Sequence, residues 1–212
     1  FKKEIRCPSC GAAQNTQFWP GIPGDKEPEL RQRVLDESLF YWKCPECGYE
    51  MQLVYPCFYH DAAHGFAIYL EPNPREPSFQ KNDVELPPGT QKRIVTSLGE
   101  LKEKVLILEA GLNDAAVELA KIAVLKMIEN RRQETPERAY FCRADEAADE
   151  LEFVFFWESE PEPLYETTRF ELYRQTKAMV DDLKFQGGSR DFLSVNLETA
   201  RLMLEAVQSR AK

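Results

Sequence analysis

Cys7-Pro8-Ser9-Cys10-Gly11 and Cys44-Pro45-Glu46-Cys47-Gly48 are two copies of one five-residue pattern, and they constrain the fold more than any other feature. Two cysteines separated by two residues converge on one ion, because the turn between them brings both Sγ atoms within a metal's bite. The glycine after each pair lets following amides turn toward sulfur, and the proline pre-shapes the turn and removes a competing donor. Together the knuckles supply four thiolates, the complement of a closed tetrahedral zinc site. Cys7, Cys10, Cys44 and Cys47 are therefore the expected metal ligands. The 33 residues between Cys10 and Cys44 exceed the usual zinc-ribbon gap, which is about 15–20 residues. A helix inserted between the knuckles accounts for the excess. Residues 28–35 supply one, with Pro28 in its first turn and Leu30, Val34 and Leu35 at helical spacing.

Six cysteines also permit a disulfide framework. A chain of 212 residues with 43% hydrophobic content does not need one, and the spacing favours a metal in a reducing compartment. No apolar run reaches membrane-spanning length and no signal-peptide core precedes the first knuckle, so a soluble, cytoplasmic protein is expected. The net charge of −9 disfavours broad contact with nucleic acid. Asn130-Arg131-Arg132 is too short to be a basic patch and suits a helix end.

Strand-like runs lead into both knuckles, at 3–6 and 39–43. Two more, at 50–59 and 66–70, flank Asp61-Ala62-Ala63-His64-Gly65 as a hairpin. Trp19-Pro20-Gly21-Ile22-Pro23-Gly24 reads as loop. Residues 72–91, with five prolines, read as an extended surface loop. After a short strand at 93–95, Ser97-Leu98-Gly99-Glu100 forms a capping box. The helix behind it carries Leu101, Val105 and Leu108 and stops at Gly111. Asn113 caps a second helix bearing Val117, Ala120, Val124 and Ile128. The two make an αα-hairpin. Beyond Thr135-Pro136, strands are expected at 138–143 and 151–157 and a helix at 166–184, broken by Gly187-Gly188. A strand at 192–195 and a last helix capped by Asn196 and running through Val207 follow. The fold class is thus α+β: a zinc-ribbon-like small antiparallel sheet packed by an αα-hairpin over 1–132, then a second small α+β lobe over 136–212.

Tyr41-Trp42-Lys43-Cys44-Pro45-Glu46-Cys47-Gly48 resembles the second knuckle of rubredoxins, which hold redox-active iron in four thiolates. Iron is the alternative to zinc on that ground. Ala12-Ala13-Gln14 after the first knuckle departs from the rubredoxin pattern. The chain as a whole resembles the CpXC domain family over about 5–128. The resemblance rests on both knuckles, Pro28-Glu29-Leu30, Tyr59-His60-Asp61, Arg93-Ile94-Val95, Glu100-Leu101-Lys102-Glu103-Lys104 and Gly111-Leu112-Asn113-Asp114. It implies a domain of bacteria and archaea whose metal is scaffolding, and it implies no reaction.

His60-Asp61-Ala62-Ala63-His64 superficially matches the zincin motif, but that chemistry needs a helix and a glutamate base. A His60–Asp61 pair beside Tyr55, Phe58, Tyr59, Phe66 and Tyr69 would line a ligand groove and make an enzyme. The plainer reading gives Asp61 to the amides of its own turn and His60 to packing. Cys57 and Cys142 lie in apolar runs and read as small buried hydrophobes rather than an accessory site with His60 or a disulfide. Phe153-Val154-Phe155-Phe156-Trp157 reads as a strand buried on both faces, and the acidic stretches 145–152 and 158–162 as solvated loops. No phosphate-binding loop, dinucleotide fingerprint or serine-hydrolase signature is present. The overall expectation is a non-enzymatic protein-interaction or regulatory module built on a closed metal site.

Overall fold

In the computed structural model, residues 1–75, 85–185 and 191–210 are described. They form two compact units, Phe1–Lys102 and Glu103–Lys212. The middle of the expected 72–91 loop and the Gly187-Gly188 break lie outside the described residues.

The first unit contains two small antiparallel ribbons, one for each knuckle. β1 (Lys2–Arg6) pairs with β2 (Ala13–Gln17), and β4 (Tyr41–Lys43) pairs with β5 (Glu50–Gln52). Between them α1 (Pro28–Leu35) carries proline in its first turn and buries Leu30 and Val34. A 3₁₀ turn, Ser38–Phe40, occupies the start of the run expected to be strand from residue 39.

A four-stranded sheet completes the unit, in the order β3 (Gly21–Pro23), β6 (Cys57–Asp61), β7 (Phe66–Leu70) and β8 (Gln91–Val95). It is mixed, because β3 runs parallel to β6 and β8 parallel to β7, with the expected β6–β7 hairpin antiparallel between them. β7 is buried at all five positions, as a central strand covered on both faces must be. The stretch 19–24 is corrected from loop to edge strand over Gly21–Pro23. Proline is tolerated there because an edge position need not donate on both sides. Gly24, just beyond, is required by close approach: a Cβ on it would lie 2.0 Å from the Tyr59 hydroxyl.

α2 (Leu98–Glu109) begins in the first unit and ends in the second. Its start follows the capping-box logic with one change. Ser97 Oγ accepts the Glu100 N–H at 3.2 Å, but Glu100 Oε2 reaches back to the Thr96 N–H at 2.7 Å. Gly111, at φ 68, closes the helix, with Gly111 N–H donating to Leu108 C=O and Leu112 N–H to Ile107 C=O. This is a Schellman arrangement.

In the second unit α3 (Asp114–Arg132) is capped by Asn113 Oδ1, which accepts the Ala116 N–H at 3.0 Å. It packs on α4 (Glu171–Asp182), α5 (Leu197–Arg210) and a three-stranded antiparallel sheet. That sheet has the order β11 (Leu164–Arg169), β10 (Glu150–Phe156), β9 (Arg138–Asp145). Leu151, Phe153 and Phe155 of β10 fill the core with Phe141, Val117 and Val124. Val154, on the other face, is also buried, so the aromatic run is a core strand.

Two expectations change here. The helix expected from 166 starts at Glu171, because Thr167 and Thr168 extend β11 opposite Glu152 and Leu151. Residues 192–195 contribute one bridge residue, Leu193, rather than a strand. α3 is a central helix of the second unit, packed on α4, α5 and β9. Among the described residues no helix is long and apolar enough to cross a membrane.

Candidate metal centre

Each knuckle is built by the same backbone bonds. Cys7 N–H donates to Ala12 C=O at 2.9 Å and Gly11 N–H to Cys7 C=O at 2.9 Å. Cys44 N–H donates to Tyr49 C=O at 2.8 Å and Gly48 N–H to Cys44 C=O at 3.0 Å. Gly11 and Gly48 hold φ at 75 and 73, the left-handed region that side chains other than glycine's disfavour. That turn aims the next amide at sulfur, so the Ala12 N–H faces Cys10 and the Tyr49 N–H faces Cys47.

The four expected ligands come together. All four Sγ atoms lie within 4.8 Å of one another. Cys7 and Cys47 are 3.6 Å apart, and Cys10 and Cys44 are 3.7 Å apart. Four sulfurs at about 2.3 Å from a central ion stand about 3.8 Å from each other in a tetrahedron, so the donor set fits a tetrahedral metal. Cys7 and Cys44 are buried, while Cys10 and Cys47 are exposed. Trp42 packs with Cys7 and Cys44, flanked by Ile5, Ala12, Met51 and Leu53. Its Nε1–H donates to Gln14 Oε1 at 3.1 Å and so ties one ribbon to the other.

The sulfurs share protons unevenly. The Tyr49 amide, acting first, pulls the Cys47 thiol down to about 7. The Ala12 amide works in the same sense on Cys10, yet hydrogen bonding to Cys47 and the other sulfurs, with burial, carries Cys10 up to about 12. Of the two exposed sulfurs, Cys47 is thus the readier thiolate.

His60 and Asp61 take the plainer of their two readings. Asp61 is buried, and its carboxylate belongs to the hairpin: Oδ1 accepts the His64 N–H at 2.9 Å and Oδ2 lies 2.8 Å from His64 Nδ1. His60 stacks on Phe58 with ring centroids 6.2 Å apart. The zincin-like spelling sits on a strand and turn, where its histidines do not share a helix face. Cys57 is buried and its thiol is pushed up to about 12 by that burial. Lying three positions from His60 on one strand, it points to the opposite face. Cys142 is half-buried at a bulge in β9, where the register moves from Arg143 opposite Glu152 to Phe141 opposite Phe153.

A buried charge network is the feature that sequence reading missed. Lys121 Nζ contacts Glu103 Oε1 at 2.6 Å and Glu118 Oε2 at 2.9 Å. Lys104 Nζ contacts Glu118 Oε1 at 2.9 Å and Asp114 at 3.5 Å. Glu103 also accepts the Phe141 N–H at 2.6 Å, which joins α2, α3 and β9. The signal was present in the spacing. Lys104 shares the apolar stripe of Leu101 and Leu108, and Lys121 that of Val117 and Val124, where a charge must find a partner.

The family model described as CpXC protein matches residues 5–121. That span includes both knuckles, α1, the mixed sheet, α2 and the first part of α3. No curated protein and no solved structure matches the chain.

Proposed function

The chain belongs to the CpXC family, and from that premise we propose that its cysteine quartet holds one structural zinc ion and that the first unit is a metal-stabilised module for binding another protein. One observation carries the reading: four sulfurs lie within 4.8 Å of one another, and two of their contacts, at 3.6 and 3.7 Å, are close to the spacing expected around a tetrahedral ion. Four protein ligands leave no position for water or substrate, so an ion there shapes the fold and does not act as a Lewis acid. Iron in the same thiolates is the rival occupant.

Protein binding is supported by the surface around the second knuckle. Tyr41, Tyr49 and Val54 are three of the large hydrophobic side chains left exposed among the described residues, and all three belong to one hairpin and its continuation. Exposed apolar groups gathered near one site favour a partner surface over random scatter. The acidic balance of 36 Asp and Glu against 27 Lys and Arg disfavours nucleic acid.

Elemental analysis of purified protein should find one zinc per chain and no visible absorbance; a coloured, iron-containing protein overturns the zinc assignment. A pull-down from the native host should capture a protein that is lost with Tyr41→Lys and Val54→Lys together. A capture unaffected by those changes, or salt-sensitive binding of nucleic acid, overturns the interaction reading.

A further inference from the structure

The geometry points to a redox-sensitive device in the same quartet: peroxide converts the thiolates into two disulfides that join the knuckles, Cys7 to Cys47 and Cys10 to Cys44, and the ion leaves. This rests on the metal reading above.

Each knuckle exposes one sulfur and buries the other, so an oxidant arriving from solvent meets Cys10 or Cys47 before Cys7 or Cys44. An oxidised sulfur then needs a second thiolate within reach. Cys47 finds Cys7 at 3.6 Å, and Cys10 finds Cys44 at 3.7 Å. Both contacts run between knuckles, and each couples an exposed sulfur to a buried one. Neither pairing lies within a turn closed by the backbone bonds from Cys7 N–H to Ala12 and from Cys44 N–H to Tyr49. Trp42 packs over Cys7 and Cys44, the buried member of each proposed pair. Pairing within a knuckle would leave the two ribbons without a covalent tie once the ion had gone.

The steps balance. The Cys47 thiolate attacks one peroxide oxygen; the S–O bond forms, the O–O bond breaks, and the departing hydroxide takes a proton to become water. The Cys7 thiolate attacks the sulfenic sulfur; the S–S bond forms, the S–O bond breaks, and the second hydroxide is protonated to water. A second peroxide does the same at Cys10 and Cys44. Sulfur supplies two electrons to each peroxide, and four sulfurs tied up as disulfides would no longer offer the thiolate charge that holds a divalent ion.

Full-length protein loaded with zinc, its content measured beforehand, is titrated with hydrogen peroxide while a chromophoric chelator reports free zinc. Complete release is expected at about two peroxides per ion, and thiol reductant with added zinc should restore binding. Trypsin cleaves after Arg6, Lys26, Lys43 and Arg75, so non-reduced digests distinguish the pairings. Joined peptides 7–26 and 44–75, with fragmentation placing the bonds at Cys7–Cys47 and Cys10–Cys44, support the proposal. Separate peptides each containing an internal disulfide overturn it, as do sulfonic acids or retention of zinc in a tenfold excess of peroxide. If the isolated chain takes up no zinc, the metal reading fails by itself. The digest of metal-free, peroxide-treated chain then still decides the pairing.

Discussion

Asp61 Oδ2 lies 2.8 Å from His64 Nδ1, while Asp61 Oδ1 accepts the His64 backbone N–H at 2.9 Å, so one buried carboxylate holds both ends of a single residue across the β6–β7 turn. Asp61→Ala should destabilise the first unit by about 1–3 kcal/mol, the cost of stranding the donors it satisfies. Asp61→Asn, which keeps an acceptor for the amide, should cost less. His60→Ala should cost less than either, and an equal loss there in urea unfolding would return the functional pairing to His60.

The two knuckles should fail alike. Gly11 and Gly48 share nearly the same positive φ, and a Cβ on either would meet nothing within 4 Å. Gly11→Ala and Gly48→Ala should therefore each cost about 1–2 kcal/mol from conformation alone, with parallel losses in zinc affinity by chelator competition. A loss confined to one knuckle would show that the site is not symmetric in energy.

Removing one buried ligand should remove the ion. Cys44→Ser should retain less than a tenth of an equivalent of zinc and lower the unfolding midpoint of the first unit, since metal binding is coupled to folding. A full equivalent in purified Cys44→Ser would sink the four-thiolate site.

Loading should be linked to protons. In the metal-free quartet Cys47 is drawn down to about 7 and Cys10 held up at about 12, so binding must expel protons and zinc affinity should rise with pH between about pH 6 and 8. Unbuffered stopped-flow with a pH indicator reads the release directly; loading without acidification would contradict the thiolate set.

In the second unit, truncating Lys121 to alanine should cost about 3–5 kcal/mol, because Glu103 and Glu118 would be left buried without their shared cation. Against strong desolvation, the neighbouring carboxylates raise Lys104 and Lys121 above the usual 10.5, and the two lysines hold Glu118 below 4.5. The lysine contributions are full below 10.5 and fade as pH rises through the raised values. The Glu118 contribution is full above 4.5 and fades as pH falls through the lowered one. Glu103, raised chiefly by its burial, works in the opposite sense and loses its contribution as pH rises. Unfolding of Glu118→Gln should therefore lose part of the acid-side dependence, read by urea denaturation below about pH 5.

The cysteine quartet was legible because its determinants are local. A five-residue knuckle encodes its own turn, and two knuckles need only meet. The caps at Ser97, Gly111 and Asn113 were legible for the same reason. Features that depend on distant partners were not. β3 has three residues, and its strand state comes from lying beside β6. Thr167 and Thr168 sit within a sequence that reads as helix, but pairing with β10 makes them strand. Asp61 could be assigned to its turn from sequence, yet the recruitment of His64 in place of His60 needed the hairpin register.

α2 crosses from one compact unit to the other, and the family match ends at residue 121, inside α3. The matched stretch therefore does not contain all of the core around its own last helix. A chain stopped at residue 121 would keep Val117 and Ala120 but lose the β9–β11 sheet, α4 and α5 that bury them. In this chain the second unit thus completes the packing of a helix that the family match leaves partly uncovered.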